Sequence, residues 1–202
     1  MDIAPKFKHP VLQKTITELN HHQLNKIKII QTNLINMDGN RSILPSLDKL
    51  KEFEKSARLE GSGIEFDSII GIWKFISIWK KDIDEEDPIF SSLLRVFSAK
   101  IEFKKDLLTK NSTELSVIAS IQFGLFSIGF SGTGYLKGKQ PLLPFCLNLI
   151  ELKAGSNILL RRSLKEPEDK EKSFFAMIAL EENDELLSAR GQGGEVVIWL
   201  KD

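Results

Sequence analysis

The chain has 202 residues, 42% hydrophobic and 28% charged, a composition typical of a globular protein with one or two small domains. Its 28 basic and 28 acidic side chains give a net charge of zero, so no general attraction to nucleic acid is expected. The single cysteine, Cys146, excludes an intrachain disulfide and is typical of a reducing compartment.

The beginning of the chain carries no signal that we recognise for secretion. Residues 1–6 lack the basic segment and apolar core of a signal peptide. The most apolar runs, at 123–130 and 141–150, are far shorter than the roughly 20 residues that span a bilayer. We therefore expect a cytoplasmic protein, or one that contacts a membrane only peripherally.

Residues 1–63 are predicted to form an N-terminal arm and two helices. Apolar residues within 11–34 recur at helical spacing. A second helix is predicted after Pro45, with Ser46 as its N-cap and a stop at residues 61–63. We expect both helices to pack on the domain that follows or on each other, and a partner- or membrane-docking surface is the alternative.

Residues 64–202 are predicted to form an antiparallel β-barrel of about eight or nine strands. Apolar and polar residues alternate here, which is typical of strands with one buried face. The acidic run Asp82–Asp87 is predicted to be a solvated loop. The fold class is therefore mainly β with N-terminal helices, an α+β protein. The predicted strands are 69–80, 94–104, 113–123, 125–137, 144–153, 156–164, 173–181, 185–190 and 194–200.

The first predicted strand opens the barrel with a Gly-x-Trp pattern, as many small ligand-binding barrels do. Odd positions place Trp73, Phe75 and Trp79 on one face of that strand. The first and last strands of a closed barrel are neighbours, so Arg190 is predicted to stack on the Trp73 indole. The residues predicted to close the barrel are Gly71, Trp73, Arg190 and Gly191.

The residue inventory of the predicted barrel excludes the common catalytic and metal sites. All three histidines, His9, His21 and His22, precede it, so it holds neither a Ser-His-Asp triad nor a histidine zinc site. The acidic run lacks the spacing of a calcium loop. The glycines of 129–134 are not followed by the Lys-Ser/Thr of a phosphate loop. We predict no catalytic residue, no metal and no cofactor.

The predicted interior is apolar and rich in phenylalanine. An eight-stranded barrel is either packed solid by its own side chains or hollow, and the sequence leaves both open. Aromatic and aliphatic walls with few polar groups suit a lipid, quinone or pigment rather than a sugar. The residues predicted to line a hydrophobic cavity are Phe75, Trp79, Phe103, Phe123, Phe130 and Phe145.

Two stretches, Ile70–Phe75 and Leu186–Trp199, together resemble motifs of the plastid lipid-associated proteins, or plastid fibrillins, of cyanobacteria and plastids. The first resembles the Gly-x-Trp strand that follows the helices of this family. The second, with its Arg190-Gly191 pair, resembles the family's closing strand motif. The resemblance implies a lipocalin-like barrel that binds prenylquinones, carotenoids or acyl lipids. It also implies peripheral association with thylakoid membranes.

Two further functions stay open at the level of sequence. Bilin lyases are also lipocalin-like barrels, and Arg161, Arg162 and Arg190 are the residues that would contact a bilin here. A filled barrel that acts as an assembly scaffold is the other possibility, with the helices of residues 11–60 as its partner surface.

Overall fold

A computed structural model describes residues 44–81, 86–105, 114–138, 142–168, 172–181 and 185–202. The first predicted helix, within 11–34, lies outside these ranges. All the described helices and strands belong to one compact unit, Ser46–Asp202. No helix in these ranges is both long enough and apolar enough to cross a membrane.

The described part of the chain begins with a helix and continues with nine strands, and a second helix lies between the first two strands. In chain order they are α1 (Leu47–Glu60), a 3-10 turn (Asp67–Ile69), β1 (Gly71–Trp79), α2 (Pro88–Val96), β2 (Lys100–Lys105), β3 (Glu114–Phe123), β4 (Phe126–Tyr135), β5 (Leu142–Ala154), β6 (Asn157–Ser163), β7 (Ser173–Glu181), β8 (Leu186–Gly191) and β9 (Val196–Lys201).

The nine strands form one antiparallel sheet that closes in a ring. The strand order is β4-β3-β2-β1-β9-β8-β7-β5-β6, and β4 also pairs with β5. Eight strands therefore complete the ring, and β6 is added to β5 outside it. Pairing of β1 with β9 confirms the prediction that the first and last strands are neighbours.

Helix α1 confirms the predicted second helix. Ser46 Oγ accepts a hydrogen bond from the Lys49 backbone N–H at 3.3 Å, which satisfies one of the free donors of the first turn. The helix ends at Gly61, as predicted. Leu50 and Ala57 are buried, and the helix packs on the outer side of the sheet at β7.

Helix α2 corrects the prediction of a second strand beginning at residue 94. Asp87 caps it by accepting from the Phe90 N–H at 3.0 Å, and Pro88 occupies its first turn. β2 lies beside the first half of β1, and helix α2 lies beside the second half. Ser91 Oγ accepts from the Ile78 N–H at 3.0 Å, and Arg95 Nη1 donates to the Ile76 carbonyl at 2.8 Å.

A β-bulge in β1 corrects the prediction that Trp79 shares a face with Trp73. The register with β9 shifts by one residue between Phe75 and Ser77. An inserted residue reverses the alternation of sides. Ile78, and not Trp79, therefore joins Trp73 and Phe75 in the core.

One end of the ring is filled by its own side chains. Trp73 is fully buried, and its indole N–H donates to the Ile69 carbonyl at 2.7 Å, so this large side chain leaves no polar group unpaired. Seven of the eight strands of the ring, all except β4, contribute buried residues to the cluster around Trp73. Other fully buried side chains of this cluster are Ile69, Phe103, Leu115, Val117, Leu143, Leu187 and Ala189.

Closure of the ring requires a glycine where β4 passes β5. A Cβ atom added to Gly132 would lie 1.8 Å from the Cys146 carbonyl oxygen, far inside van der Waals contact. The register between β4 and β5 shifts at this point, between Ser131 and Gly132. The two backbones approach this closely because the sheet bends sharply here, as closed sheets do at glycines and bulges.

We expect Gly132→Ala to destabilise the protein by about 3 kcal/mol or more, because a backbone clash has no flexible side chain to relieve it. Urea unfolding followed by circular dichroism measures the change. Gly129→Ala, on the same strand, is the control, because a Cβ atom there meets nothing within 4 Å. The control should change stability by about 1 kcal/mol or less. Equal midpoints for the two variants would contradict the close approach.

Candidate ligand-binding face

The inner side of the ring continues past its rim as an exposed apolar surface. Rows of paired residues run across β3, β4, β5 and β6 on this side, and they continue the rows that fill the core. One row joins Ile121, Ile128, Leu152 and Leu160. We call this surface the open face, and its residues are Ile121, Phe123, Phe126, Ile128, Ile150, Leu152 and Leu160.

The open face is an apolar side of the sheet that is partly exposed to water, which is unusual. Phe123 is 67% exposed, and Phe126 and Leu160 are each 51% exposed. The outer side of the same strands is mostly polar, as where Ser127 pairs with Lys153, although Ile158 of β6 is also exposed there. An antiparallel sheet with one solvated side normally turns its polar side to water and covers its apolar side. Here the apolar side leaves Phe123, Phe126 and Leu160 exposed, and the other four residues of the face are half-buried.

The open face exists because β5 is longer than its neighbour in the ring. β5 pairs with β7 over Leu142–Phe145 only, and with β6 over Leu149–Ala154. From Phe145 to Ala154 it also pairs with β4. The sheet therefore extends beyond β7 at this end.

Aromatic side chains lie below and beside the open face. Inside the ring, Phe145 stacks on Phe175 with ring centroids 5.0 Å apart, and Phe175 meets Trp199 edge-on at 5.3 Å. At the rim, Phe97 contacts Phe123 edge-on at 5.6 Å. Stacked and edge-on contacts between aromatic rings are energetically favourable, and these contacts stabilise the side chains next to the open face.

The predicted cavity residues occupy four different places. Phe75, Phe103 and Phe130 are buried in the packed core. Phe145 is half-buried inside the ring, and Phe123 belongs to the open face. Trp79 lies on the other side of β1, because of the bulge described above.

Sequence reasoning missed the contribution of β5 and β6 to this face. The alternation of Ile150 and Leu152 with Glu151 and Lys153 was a usable signal, because it marks one apolar side. The partner across the hairpin, Leu160, stands opposite Leu152. Their exposure depends on the offset between strands, and no local pattern reports that offset.

The predicted stacking of Arg190 on Trp73 is wrong. The register places Trp73 opposite Lys201 and Arg190 opposite Val196, so the two residues are at opposite ends of β9. The cation over the indole is the Lys201 ammonium, 5.7 Å from the ring centroid. Gly71, beside it, has φ +141°, a conformation that favours glycine.

Arg190 instead ties α1 to the outer side of the sheet. Its Nε and Nη2 atoms each donate to a carboxylate oxygen of Glu54 at 2.6 Å. Its Nη1 donates to the Gly194 carbonyl, and the Gly191 N–H donates to the Glu195 carbonyl at 2.8 Å. Arg190 and Gly191 therefore stabilise the β8–β9 hairpin and the helix that packs on it.

Two carboxyl groups have lowered pKa values because of cationic neighbours. The hydrogen bond from Arg190 lowers the pKa of Glu54, against a partial opposing effect of burial. Hydrogen bonds from Lys153 and then Arg161 lower the pKa of Glu151 on the outer side of β5. Neither carboxylate belongs to the open face, and both are committed to ion pairs.

The described residues contain no group of three or more His, Cys, Asp or Glu side chains that could hold one metal ion. Comparisons of the chain with protein-family models, with curated proteins and with solved structures found no match.

We expect Glu54→Gln to lower the free energy of unfolding at pH 7 by about 1–2 kcal/mol, because it removes a bidentate charged pair. Folding lowers the pKa of Glu54, so the pair stabilises fully above the ordinary glutamate pKa of about 4.3. That stabilisation is lost as the pH falls through the lowered value. Urea unfolding of both proteins from pH 7 to pH 2.5 should show their difference shrinking at the acid end.

Glu52→Gln is the matched control for this ion pair, because Glu52 is an exposed carboxylate on the same helix. Its stability should follow the wild type at every pH within about 0.5 kcal/mol. A Glu54→Gln deficit that stays constant down to pH 2.5 would mean that the carboxylate charge does not carry the effect.

Proposed function

We propose that this protein binds a hydrophobic small molecule on the open face, without catalysing a reaction. The observation that supports it most is the exposure of Phe123, Phe126 and Leu160 on the inner side of strands whose outer side is mostly polar. Contiguous exposed apolar surface of this kind marks ligand or partner sites on proteins in water.

In this proposal the ring is a lipocalin-like β-barrel, filled at one end and open at the other. The ligand lies across the open face, beside the buried Phe130. The resemblance to plastid lipid-associated proteins suggests a prenylquinone, a carotenoid or an acyl lipid as ligand, and a peripheral association with photosynthetic membranes. Aromatic and branched aliphatic side chains suit these ligand classes.

The size of the face sets the affinity to expect. Burying about 400 Å² of apolar surface, half on the protein and half on the ligand, contributes about 10 kcal/mol. Association costs of about 4 kcal/mol or more leave a dissociation constant in the range of tens of micromolar or weaker. Titrations therefore need micromolar protein and a probe that remains monomeric at such concentrations.

The bilin alternative gains little support from its three arginines. Arg161 pairs with Glu151 and Arg190 pairs with Glu54, and both pairs lie on the outer side of the sheet. Arg162 alone among the three shares the side of the open face, opposite Ile150.

A filled-barrel scaffold is the second candidate, and the packed end around Trp73 and Phe103 favours it. Native mass spectrometry of the protein purified from its host separates the two functions. We expect an apolar mass that co-purifies and is released by denaturation. A clean mass of the chain alone, with a protein partner recovered instead, would support the scaffold.

Titration with Nile red, a neutral dye that fluoresces in apolar sites, tests the assignment of the face. We expect the double variant Phe126→Ser with Leu160→Ser to bind the dye about tenfold more weakly, because about 1.4 kcal/mol of apolar contact is lost. Leu59→Ser is the control, since Leu59 is 75% exposed on α1, which packs on the outer side.

The control should bind within twofold of the wild type, and thermal melts should show all three proteins folded. Equal dye affinity for the wild type and the double variant would contradict binding at the open face. Absence of saturable binding by the wild type would contradict the proposed function itself.

A further inference from the structure

Two adjacent arginines of β6 lie on opposite sides of the sheet. Arg161 stands opposite Glu151, and its guanidinium binds that carboxylate at 2.6 Å on the outer side. Successive residues of a strand point to opposite sides. Arg162, opposite Ile150, therefore belongs to the inner side, in the row that contains Phe130.

Arg162 is the one charged residue on the inner side of the four strands that build the open face. The inner positions of the fully described β3, β4 and β5 carry aliphatic, aromatic or glycine residues, from Leu115 to Ala154. Arg162 makes no ion pair with any described residue, whereas its neighbour Arg161 does. A single cation thus borders an apolar surface.

A ligand that covers this surface also removes water from around the Arg162 guanidinium. Loss of water is costly for a charge unless an opposite charge replaces it. An anionic group on the ligand does so, since guanidinium binds carboxylate or phosphate through two parallel hydrogen bonds. A neutral apolar ligand would leave that cost uncompensated.

The dimensions of the face favour a small amphiphile over a protein partner. From Ile150 to Ala154 the face spans five residues of β5, about 13 Å, and it crosses three strand spacings, about 14 Å. The projected area of about 180 Å² is far below the roughly 800 Å² that each partner contributes to a standard protein interface. It fits an extended alkyl chain.

We propose that the open face takes a single-chain amphiphile with an anionic head group, such as a long-chain carboxylate. The head group pairs with Arg162, and the chain lies along the row of Leu152 and Leu160 toward Phe126. This assignment rests on the proposed function and adds the chemical class of the ligand and the residue that selects it.

Fluorescence titration with cis-parinaric acid and with the corresponding alcohol, both kept monomeric, tests the head-group assignment. We expect the wild type to prefer the acid about tenfold. Arg162→Gln should lose this preference through weaker binding of the acid, with alcohol affinity within twofold of the wild type. Arg162→Lys keeps the charge and should keep most of the preference.

Arg161→Gln is the matched control, because it removes the same charge from the adjacent residue on the outer side. It should keep the full preference for the acid. If both arginine variants lost the preference for the acid equally, general electrostatic attraction would explain it, and the assignment to Arg162 would be overturned. Circular dichroism melts establish that each variant is folded.

Three further results would overturn the proposal, and they are distinguishable. Equal wild-type affinity for acid and alcohol would leave the proposed function intact but remove the head-group site. No saturable binding of either probe would remove both. Binding to phosphatidylglycerol vesicles without binding of the free acid would make the occupant a membrane surface instead of a single molecule.

Discussion

The approach of β5 to β4 at Gly132 is the constraint on which the closed sheet depends. Without a side chain at this position, the Cys146 carbonyl can come so close that the two strands pair on both sides of a sharp bend. The bend turns one side of the sheet inward, and that side then becomes the core. Only this closure gives the sheet an inner side, on which the apolar residues of the alternating pattern can be buried.

The ring is asymmetric because its strands are offset and unequal in length. At one end, Trp73 and its neighbours fill the interior. The indole N–H of Trp73 is hydrogen-bonded there, so the buried ring has no unpaired polar group. At the other end, β5 continues past β7 and carries β6 with it. The same apolar side is thus core at one end and surface at the other. The helices lie elsewhere: α1 stabilises the outer side at β7, and α2 completes the backbone hydrogen bonds of β1.

Local sequence patterns predicted most of the helices and strands. The features that they did not predict depend on contacts between residues far apart in the chain. Alternation located the strands, and Ser46 and Gly61 marked the ends of α1. The acidic residues before Pro88 were interpreted as a solvated loop, although Asp87 is the N-cap of α2. The one-residue bulge before Ser77 has no signature in composition, so the side of Trp79 was predicted wrongly.

The partner of Arg190 was equally hidden from sequence reasoning, because Glu54 precedes it by 136 residues. A charged pair of this kind is decided by how a helix docks, not by any pattern near either residue. The open face was hidden for a related reason, since exposure of Leu160 follows from the lengths of three strands together. Periodicity predicted which side chains share a side and could not predict where that side ends.

The extension of β5 and β6 beyond the ring also makes the hairpin a region where the chain can vary in length. Only the first four residues of β5 pair with β7, so residues 149–154 of β5 extend past β7 together with β6. Adding or removing residues in matched pairs on the two strands would enlarge or shrink the apolar surface and preserve every inward-facing position. Related chains could therefore differ in the length of molecule they accommodate through insertions and deletions here, while the ring itself stays constant.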